Sequence, residues 1–292
     1  MKYVTIHLMG GLGNQLFQIF TVISYSLKHN FIPVFEYSEI LTSGVHRPTY
    51  WDNFLKNINQ LTTRHSNNQL VKKYLQMFLV VREKDFHYTE IPLITSSNFI
   101  KLFGYYQSFK YFHENIDEIC KMIHIDEQKK VIKEENSELL KDCYNISMHF
   151  RYGDYRQKQD CHPCMPIQYY ILSLNKILSN VNTNKDIQVI YFCEPSENDN
   201  VEKMIKEIRN NFQKITFVKV NKKLQDWEEL LLMSICHSNI IANSSFSWWS
   251  AYLNNYENKV VCYPNKWFGK KLAHNNTKDM FIKNWNCINI SS

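Results

Sequence analysis

The chain opens with the stretch Tyr3-Val4-Thr5-Ile6-His7-Leu8-Met9-Gly10-Gly11-Leu12-Gly13-Asn14-Gln15, an apolar run followed directly by glycines. The apolar run predicts a buried strand, the glycines predict a tight turn, and the pattern from Asn14 to Lys28 predicts a helix. A second strand is predicted over Phe31–Phe35. Strand, turn, helix and strand in this order are typical of an α/β domain with a parallel sheet.

The second half of the chain repeats this alternation of strands and helices. The pattern predicts strands over Tyr144–Phe150, Ile187–Phe192, Thr216–Val220, Ser238–Ala242 and Val260–Tyr263, and helices over Ile167–Leu178, Val201–Arg209 and Asp226–Ile235. A charged helical stretch from Ile116 to Leu140 precedes it, and we place the domain boundary at the end of that stretch. We expect one α/β domain over residues 1–140 and another over residues 141–292, with a ligand cleft beyond the carboxyl ends of the strands.

Composition and charge narrow the class of protein. Of the 292 residues, 44% are hydrophobic and 14% are aromatic, which is sufficient for packed cores and argues against disorder. The net charge of +6 comes from Lys and Arg residues spread along the chain. A small, dispersed excess suits a polyanionic small molecule better than a nucleic acid, so we expect no nucleic-acid partner.

The eight cysteines mostly occur singly within apolar runs, which is typical of a reducing compartment rather than of a disulfide framework. The N-terminal apolar run is too short for a signal peptide, and no run approaches the ~18 residues of a transmembrane helix. The sequence therefore predicts a cytoplasmic protein without a transmembrane segment. Cys161-His162-Pro163-Cys164 has redox or zinc spacing, but no second Cys/His cluster accompanies it.

The glycine-rich turn is the first candidate binding segment. Gly11 and Gly13, between a strand and a helix, would let a phosphate approach the backbone, with Asn14 and Gln15 directly behind them. A dinucleotide-binding fingerprint needs a third glycine where this chain has Leu16. Glu36 nevertheless holds the position of a ribose-binding acid, so a flavin or nicotinamide oxidoreductase stays an alternative, as does a plain tight turn.

The segment from Met148 to Tyr155 is the second candidate. His149 and Arg151 should point to one face of the predicted strand, because side chains alternate along it. The planar guanidinium of Arg151 suits diphosphate oxygens, and His149 can form a hydrogen bond to a base or a phosphate. Asp154, just past the strand, could present a carboxylate to the cleft. A structural Arg151–Asp154 ion pair is the alternative.

The third candidate runs from Asp226 to Trp249. A strand that ends in Asn243-Ser244-Ser245 before a helix supplies backbone N–H groups for an anion, here from Ser245, Phe246 and Ser247. The alternative interpretation is that Asn243 or Ser244 only caps the helix.

Taken in order, these segments resemble the bacterial-type α-1,2-fucosyltransferases of glycosyltransferase family 11. That family opens with G-G-L-G-N-Q-x-F-Q and continues with G-Y-x-Q-S, H-x-R-R-G-D-Y, paired tyrosines and A-N-S-S-F-S-W-W. The matching stretches here are Gly10–Gln18, Gly104–Ser108, His149–Tyr155, Tyr169-Tyr170 and Ala242–Trp249. The second arginine of H-x-R-R is replaced by Tyr152, which leaves a catalytically inactive sugar-binding protein as a further alternative.

The resemblance implies a GT-B architecture, with two Rossmann-like domains facing across a cleft and the donor on the C-terminal one. It implies GDP-β-L-fucose as donor, the 2-hydroxyl of galactose as acceptor, and inversion in a single displacement. It also implies that no metal or other cofactor takes part, and no D-x-D triplet occurs in the chain. A lipid-linked glycan acceptor would bring the protein into peripheral contact with a membrane.

The resemblance also implies roles for the candidate residues. His149 and Asp226 would contact guanine, and Asn14 and Gln15 would reach the donor or the acceptor. The leaving diphosphate would be stabilised by Arg151 and by the backbone amides near Ser245, Phe246 and Ser247. Asp154 is the candidate general base for the attacking hydroxyl.

Overall fold

The computed structural model describes residues 1–42, 44–220 and 223–290, apart from the side chains of residues 66, 67 and 70. The chain divides into two compact units. The first consists of Met1–Glu127 with Asn275–Ile282, and the second of Gln128–His274 with Lys283–Ser292. Each unit contains a parallel β-sheet and helices, which confirms the predicted α/β class. None of the described helices is long and apolar enough to cross a membrane.

The first unit contains six strands, which are β1 (Tyr3–Ile6), β2 (Ile32–Pro33), β3 (Ile40–Leu41), β4 (Arg47–Pro48), β5 (Leu79–Arg82) and β6 (Phe99–Phe103). A parallel sheet has the strand order β2-β1-β6-β5, and β3 and β4 form a separate antiparallel pair. The helices of this unit are α1 (Leu12–His29), α2 (Ser66–Lys72) and α3 (Ile116–Met122), and α4 (Ile125–Glu135) crosses the boundary.

Helix α1 follows the glycine-rich turn at the start of the chain. Gly10 has a φ of 80°, a conformation that side chains disfavour, so the sharp turn after β1 requires glycine. Fourteen of the 18 residues of α1 are buried, which makes it the central helix of the unit. Its last turn carries the basic residues Lys28 and His29, which suit the negative end of the helix dipole. The helix ends at Asn30, which has the left-handed backbone conformation.

The second unit has a six-stranded parallel sheet. Its strands are β7 (Tyr144–His149), β8 (Ile187–Phe192), β9 (Thr216–Lys219), β10 (Ser238–Ile240), β11 (Val261–Pro264) and β12 (Asn286–Ile288). They are arranged in the order β9-β8-β7-β10-β11-β12, which is the doubly wound Rossmann order. The helices are α5 (Ile167–Asn180), α6 (Asn198–Asn211), α7 (Asp226–Ser234) and α8 (Ser245–Tyr252).

The division between the units differs from the boundary predicted at residue 140. Helix α4 joins the second unit from residue 128 onward, because Lys129 is buried and its ammonium donates to the carbonyl of Leu253. The segment Asn275–Ile282 returns to the first unit, where the Ser108 hydroxyl donates to the Asp279 carbonyl at 2.6 Å. Neither contact has a sequence pattern that predicts it.

Candidate functional site

The second sheet changes direction between β7 and β10, which lie side by side and parallel. From β7 the chain proceeds outward through β8 and β9, and it then returns to build β10, β11 and β12 on the other side. Open α/β sheets bind ligands beyond the carboxyl ends of the strands at such a switch point. Strand β7 ends at His149 and strand β10 at Ile240, so the second candidate segment and the part of the third one that follows β10 both lie at this point.

His149 lies at the end of β7 and is 7% exposed. Its Nδ1 atom has no hydrogen-bond partner among the described residues, and its ring centroid lies 5.4 Å from that of Phe246 at the start of α8. Burial lowers the pKa of His149 to about 3, and the nearby positive charge of Arg151 adds to this effect. The imidazole is therefore neutral at physiological pH, with an unsatisfied polar atom that a ligand could satisfy.

Arg151 is held by three neighbours. Its Nη2 atom lies 2.5 Å from Oδ1 of Asp154, its Nη1 atom pairs with Oε1 of Glu194, and its Cζ atom lies 4.6 Å from the ring centroid of Tyr155. The alternative of an Arg151–Asp154 ion pair is therefore observed. The two carboxylates and the ring fix the plane of a guanidinium whose side chain is 15% exposed.

Glu194 is a member of the site that the sequence analysis missed. It follows β8, the neighbour of β7, and parallel strands end at the same edge of a sheet. That position is the signal that could have identified it. Gly153 has a φ of 37°, and a side chain there would collide with the Glu194 carboxylate, so the turn after β7 requires glycine.

Asp154 pairs with two cations, because Lys158 Nζ lies 3.2 Å from its second carboxylate oxygen. Its side chain is 39% exposed, so the carboxylate is accessible from solvent. The candidate general base is thus a solvent-accessible carboxylate that lies between two cations.

The turn between β10 and α8 presents backbone groups next to His149. Ser244 is the N-cap of α8 and has an extended backbone, but its side chain does not cap the helix. The Asn243 amide instead donates to the carbonyls of Pro163 at 2.9 Å and Trp267 at 3.2 Å, and its Oδ1 atom has no partner among the described residues. Ser244 therefore is the N-cap residue of α8, as one alternative expected, but neither its side chain nor that of Asn243 caps the helix.

The first turn of α8 contains Ser245, Phe246 and Ser247. N–H groups in the first turn of an α-helix have no acceptor within the helix and carry the positive end of its dipole. At the opposite end, Lys259 Nζ donates to the Ala251 carbonyl at 2.9 Å, and Lys129 donates to that of Leu253. Burial and the charge of Lys129 lower the pKa of Lys259 to about 8.

Tyr152, which replaces the family's second arginine, does not lie beside Arg151. It is 5% exposed, and its hydroxyl donates to the Met165 carbonyl at 2.5 Å within the apolar core of the second unit. Side chains alternate after β7, so His149 and Arg151 lie on one side while Phe150 and Tyr152 lie on the other. The replacement therefore changes the core beneath the site.

Asp226 is the first residue of α7 and is exposed. Its Oδ1 atom accepts a hydrogen bond from the backbone N–H of Trp227 at 2.8 Å. One helical turn further on, burial and, to a lesser extent, the charge of Asp226 raise the pKa of Glu229 to about 7. Glu229 is a second acid that the sequence analysis missed, although its position three residues after Asp226 places the two on one helix face.

The glycine-rich turn and its neighbours lie in the first unit. Gly11 is the N-cap of α1, and Gly13 is buried in its first turn. The Asn14 Oδ1 atom accepts a hydrogen bond from the Gln107 amide at 2.7 Å. The Gln15 side chain is 1% exposed and donates to the carbonyls of Gly10 and Pro48 at 2.9 and 2.8 Å. The Gln15 amide therefore braces the turn, and the predicted contact of Asn14 and Gln15 with a substrate stays a prediction.

The fold and the switch-point site define an α/β protein with a Rossmann-type ligand-binding unit. The model of glycosyl transferase family 11 matches residues 1–289, so the chain belongs to glycosyltransferase family 11. This confirms the resemblance and establishes the general activity as glycosyl transfer. The family assignment does not support the alternative of a dinucleotide-dependent oxidoreductase.

Two proteins from Escherichia coli are similar to this chain in sequence. An alpha-1,2-colitosyltransferase is 25% identical over 287 residues, which cover 93% of this chain and 94% of that protein. The O-antigen biosynthesis glycosyltransferase WbnK is 31% identical over 183 residues, and this match covers 59% of this chain but only 51% of WbnK.

A solved structure is similar in fold. A mutant of Arabidopsis thaliana FUT1 in complex with GDP matches with a TM-score of 0.50 and 12% sequence identity, over 96% of this chain and 74% of that one. The predicted GT-B type of fold, built from two α/β units, is confirmed at this level.

Proposed function

We propose that this protein transfers L-fucose from GDP-β-L-fucose to the 2-hydroxyl of an acceptor sugar, galactose, with inversion at the anomeric carbon. The observation that carries the proposal is the position of Arg151 and the α8 N-terminus on adjacent strand ends at the switch point. A planar guanidinium and a helix N-terminus both favour a diphosphate, and the leaving group of this reaction is GDP. The family resemblance supplies the identity of the nucleotide and of the sugar.

The reaction would proceed by one displacement. The acceptor hydroxyl attacks the anomeric carbon, the bond to the diphosphate oxygen breaks, and negative charge develops on GDP. Arg151 and the N–H groups of Phe246 and Ser247 would stabilise that charge without a metal ion. The Asp154 carboxylate, held beside Arg151, would accept the proton of the attacking hydroxyl.

The guanine would be recognised by Asp226 and His149 of the second unit. His149 offers a neutral imidazole with an unpartnered Nδ1 atom, and Asp226 offers an exposed carboxylate for the N–H groups of guanine. A carboxylate that pairs with guanine also discriminates against nucleotides whose bases lack those donors.

A second candidate donor is a GDP-linked colitose, which is L-fucose without its 3-hydroxyl. The colitosyltransferase aligns with nearly the whole chain, and this observation favours considering it. A site that forms a hydrogen bond to the 3-hydroxyl would reject the deoxy sugar strongly, whereas an apolar site would accept both.

The test is a transfer assay with both donors and an array of galactose-, N-acetylglucosamine- and rhamnose-terminated acceptors. Mass spectrometry identifies the products, and NMR of the purified product gives the linkage and the anomeric configuration. We expect an α-1,2-linked fucosyl galactoside. A product with retained configuration, transfer only from the colitose donor, or no transfer to any acceptor would overturn the proposal.

A further inference from the structure

The positive charge of the chain is concentrated more than its composition suggests. From Asn53 to Arg82 the sequence contains no Asp or Glu, and it contains five cations, which are Lys56, Arg64, Lys72, Lys73 and Arg82. The whole chain has a net charge of only +6, so this segment holds nearly all of the excess. The expectation that the charge is evenly dispersed is therefore wrong for this part of the first unit.

The centre of this segment has a buried side and an exposed side. Val71, Leu75 and Phe78 are buried and pack in a small cluster with Val34. The exposed residues among and directly after them form what we call the basic–apolar patch, which consists of Lys72, Lys73, Tyr74, Met77 and Val80. Side chains alternate along β5, so Val80 shares a face with Phe78, whereas Leu79 lies on the other face. The apolar members of the patch are unusually open for their type, with relative exposures of 54% for Tyr74, 78% for Met77 and 46% for Val80.

An open groove of about 500 Å³ adjoins the patch. It is lined by Tyr37, Thr63, Arg64, Gln69, Lys72 and Lys73. Arg64 lies against the Tyr37 ring at 4.8 Å and pairs with Asp52 at 2.8 Å. No described carboxylate lies within ion-pair distance of Lys72 or Lys73, so the groove has a cationic wall that the protein itself does not neutralise.

We propose that the basic–apolar patch docks this chain onto a membrane surface that contains anionic phospholipids. Lys72 and Lys73 would lie among the headgroup phosphates, with one headgroup in the groove beside Arg64, while Met77 and Val80 would enter the boundary of the acyl chains. Cations around exposed aliphatic side chains match this boundary. A nucleic acid offers phosphates but no partner for the aliphatic residues, and an apolar protein surface leaves the lysines unpaired.

The proposal is tested by sedimentation of the full chain with lipid vesicles, without donor or acceptor. One vesicle population contains only phosphatidylcholine, and in the other about one third is replaced by phosphatidylglycerol. We expect binding to the second population that weakens with salt. Substitution of Lys72→Gln together with Lys73→Gln should lower the partition coefficient roughly 30-fold, because each lysine near an anionic surface contributes a factor of about five to six.

Two further variants separate the contributions. Met77→Gln should weaken the binding of the chain to anionic vesicles, because it removes the exposed apolar group that enters the lipid. Lys203→Gln with Lys206→Gln, an exposed lysine pair on α6 in the second unit, makes the same change in charge and should leave binding unchanged. GDP affinity should be equal in all variants, since none of these residues belongs to the switch-point site.

Three outcomes would overturn the proposal. The wild-type chain fails to bind anionic vesicles at low salt, or the patch variants and the α6 control bind equally. In the third outcome, light scattering shows a dimer that the Met77→Gln variant disrupts while vesicle binding is absent, which would assign the patch to a second copy of the chain through β5. All three are independent of whether the donor is GDP-fucose.

Discussion

At the scale of single residues, the site depends on how Arg151 is held. Two carboxylates and the Tyr155 ring fix the plane of its guanidinium before any ligand binds. Such preorganisation matters because a group that is already oriented loses little entropy when charge develops on the leaving diphosphate. The same ion pairs imply that a bound diphosphate would compete with Asp154 and Glu194 for the N–H groups of Arg151.

The first prediction concerns the geometry of Arg151. Arg151→Lys keeps the charge but removes the planar fork, so transfer should fall by a factor that corresponds to about 2–4 kcal/mol in the activation free energy. The measurement is kcat at saturating donor, after circular dichroism has confirmed folding. Arg156→Lys is a matched control, because Arg156 pairs with Glu197 rather than with the site. Wild-type turnover in Arg151→Lys would show that Arg151 is only structural.

The second prediction separates the acids. Asp154→Asn should lower kcat, because it removes the proposed base, and it should not weaken GDP binding, because it also removes a competitor for Arg151. Asp226→Asn should raise the donor KM and relax discrimination between nucleotide bases. Glu194→Gln tests the missed partner of Arg151 and should reduce kcat less than Asp154→Asn does. If folded Asp154→Asn turns over normally while Asp226→Asn is inactive at saturating donor, the two roles have been assigned the wrong way round.

The third prediction is the pH dependence of stability that His149 confers. Its pKa is about 3 in the folded chain against 6.5 for an ordinary histidine, so between these values only the unfolded state binds the proton. Stability is therefore full above pH 6.5 and is lost as the pH falls toward 3. Between pH 7.5 and pH 5 the His149 contribution should be on the order of 1–2 kcal/mol.

Urea unfolding at the two pH values measures this contribution as a difference between proteins. His149→Gln should lose less stability on acidification than the wild type does. His274→Gln alters an exposed histidine, and this variant should lose as much stability on acidification as the wild type does. Equal losses in all three proteins would mean that the unfolding of this unit is not coupled to protonation of His149.

At the scale of elements, helix α8 is fixed at both ends. Its N-terminus meets the end of β7 through the contact between Phe246 and His149, and its last carbonyls accept hydrogen bonds from two lysines. Cations at a helix C-terminus interact favourably with the negative end of the helix dipole. The two lysines therefore stabilise the helix whose positive end faces the proposed diphosphate. Lys129 is notable because it comes from α4, a helix that is distant in sequence.

The fourth prediction follows from this contact. Lys129→Met should lower the free energy of unfolding by about 1–3 kcal/mol, because the Leu253 carbonyl loses its charged donor. Lys130→Met changes the next, exposed residue of the same helix and should stay within about 0.5 kcal/mol of the wild type. Equal unfolding free energies for the two variants in urea titrations would show that the Lys129 contact contributes nothing.

Most elements of the second unit follow from local patterns in the sequence. The strand Ile187–Phe192 was predicted at its observed bounds, and the α7 and α8 helices begin where polar residues precede apolar runs. The strands β5 and β6 were missed. The segment Leu79–Arg82, which forms β5, is short and largely exposed and shows no clear alternation. Of the predicted strand Phe31–Phe35, only Ile32–Pro33 pairs with β1.

The residues of the site also fall into those that local sequence patterns identify and those that they do not. His149, Arg151 and the α8 amides could be placed from strand ends, because parallel strands deliver their carboxyl ends to one edge. Glu194 and Glu229 were missed, although Glu194 lies two residues after β8 and Glu229 lies three residues after Asp226. Only the ion pair with Arg151 and the burial of Glu229 show that the two acids matter. The buried state of Gln15 likewise depends on the Pro48 carbonyl, which lies 33 residues away in the sequence.

At the scale of the whole molecule, the protein consists of two α/β units with distinct surfaces. The second unit carries the switch-point site, with its neutral histidine, held arginine and helix N-terminus. The first unit carries the glycine-rich turn and the basic–apolar patch. This division separates the proposed recognition of the nucleotide from the proposed contact with a membrane, so variants in one unit should leave the other property unchanged.

The fifth prediction, on which the proposed function depends most directly, is that GDP binds to the second unit through Arg151 without a metal ion. Calorimetric titration of GDP in EDTA should give saturable binding, and added Mn²⁺ should leave the affinity unchanged. Arg151→Ala should weaken binding by roughly 10- to 100-fold, since it removes a charge-assisted contact to the diphosphate. Binding that appears only with Mn²⁺, or full GDP affinity in folded Arg151→Ala, would contradict the proposed site.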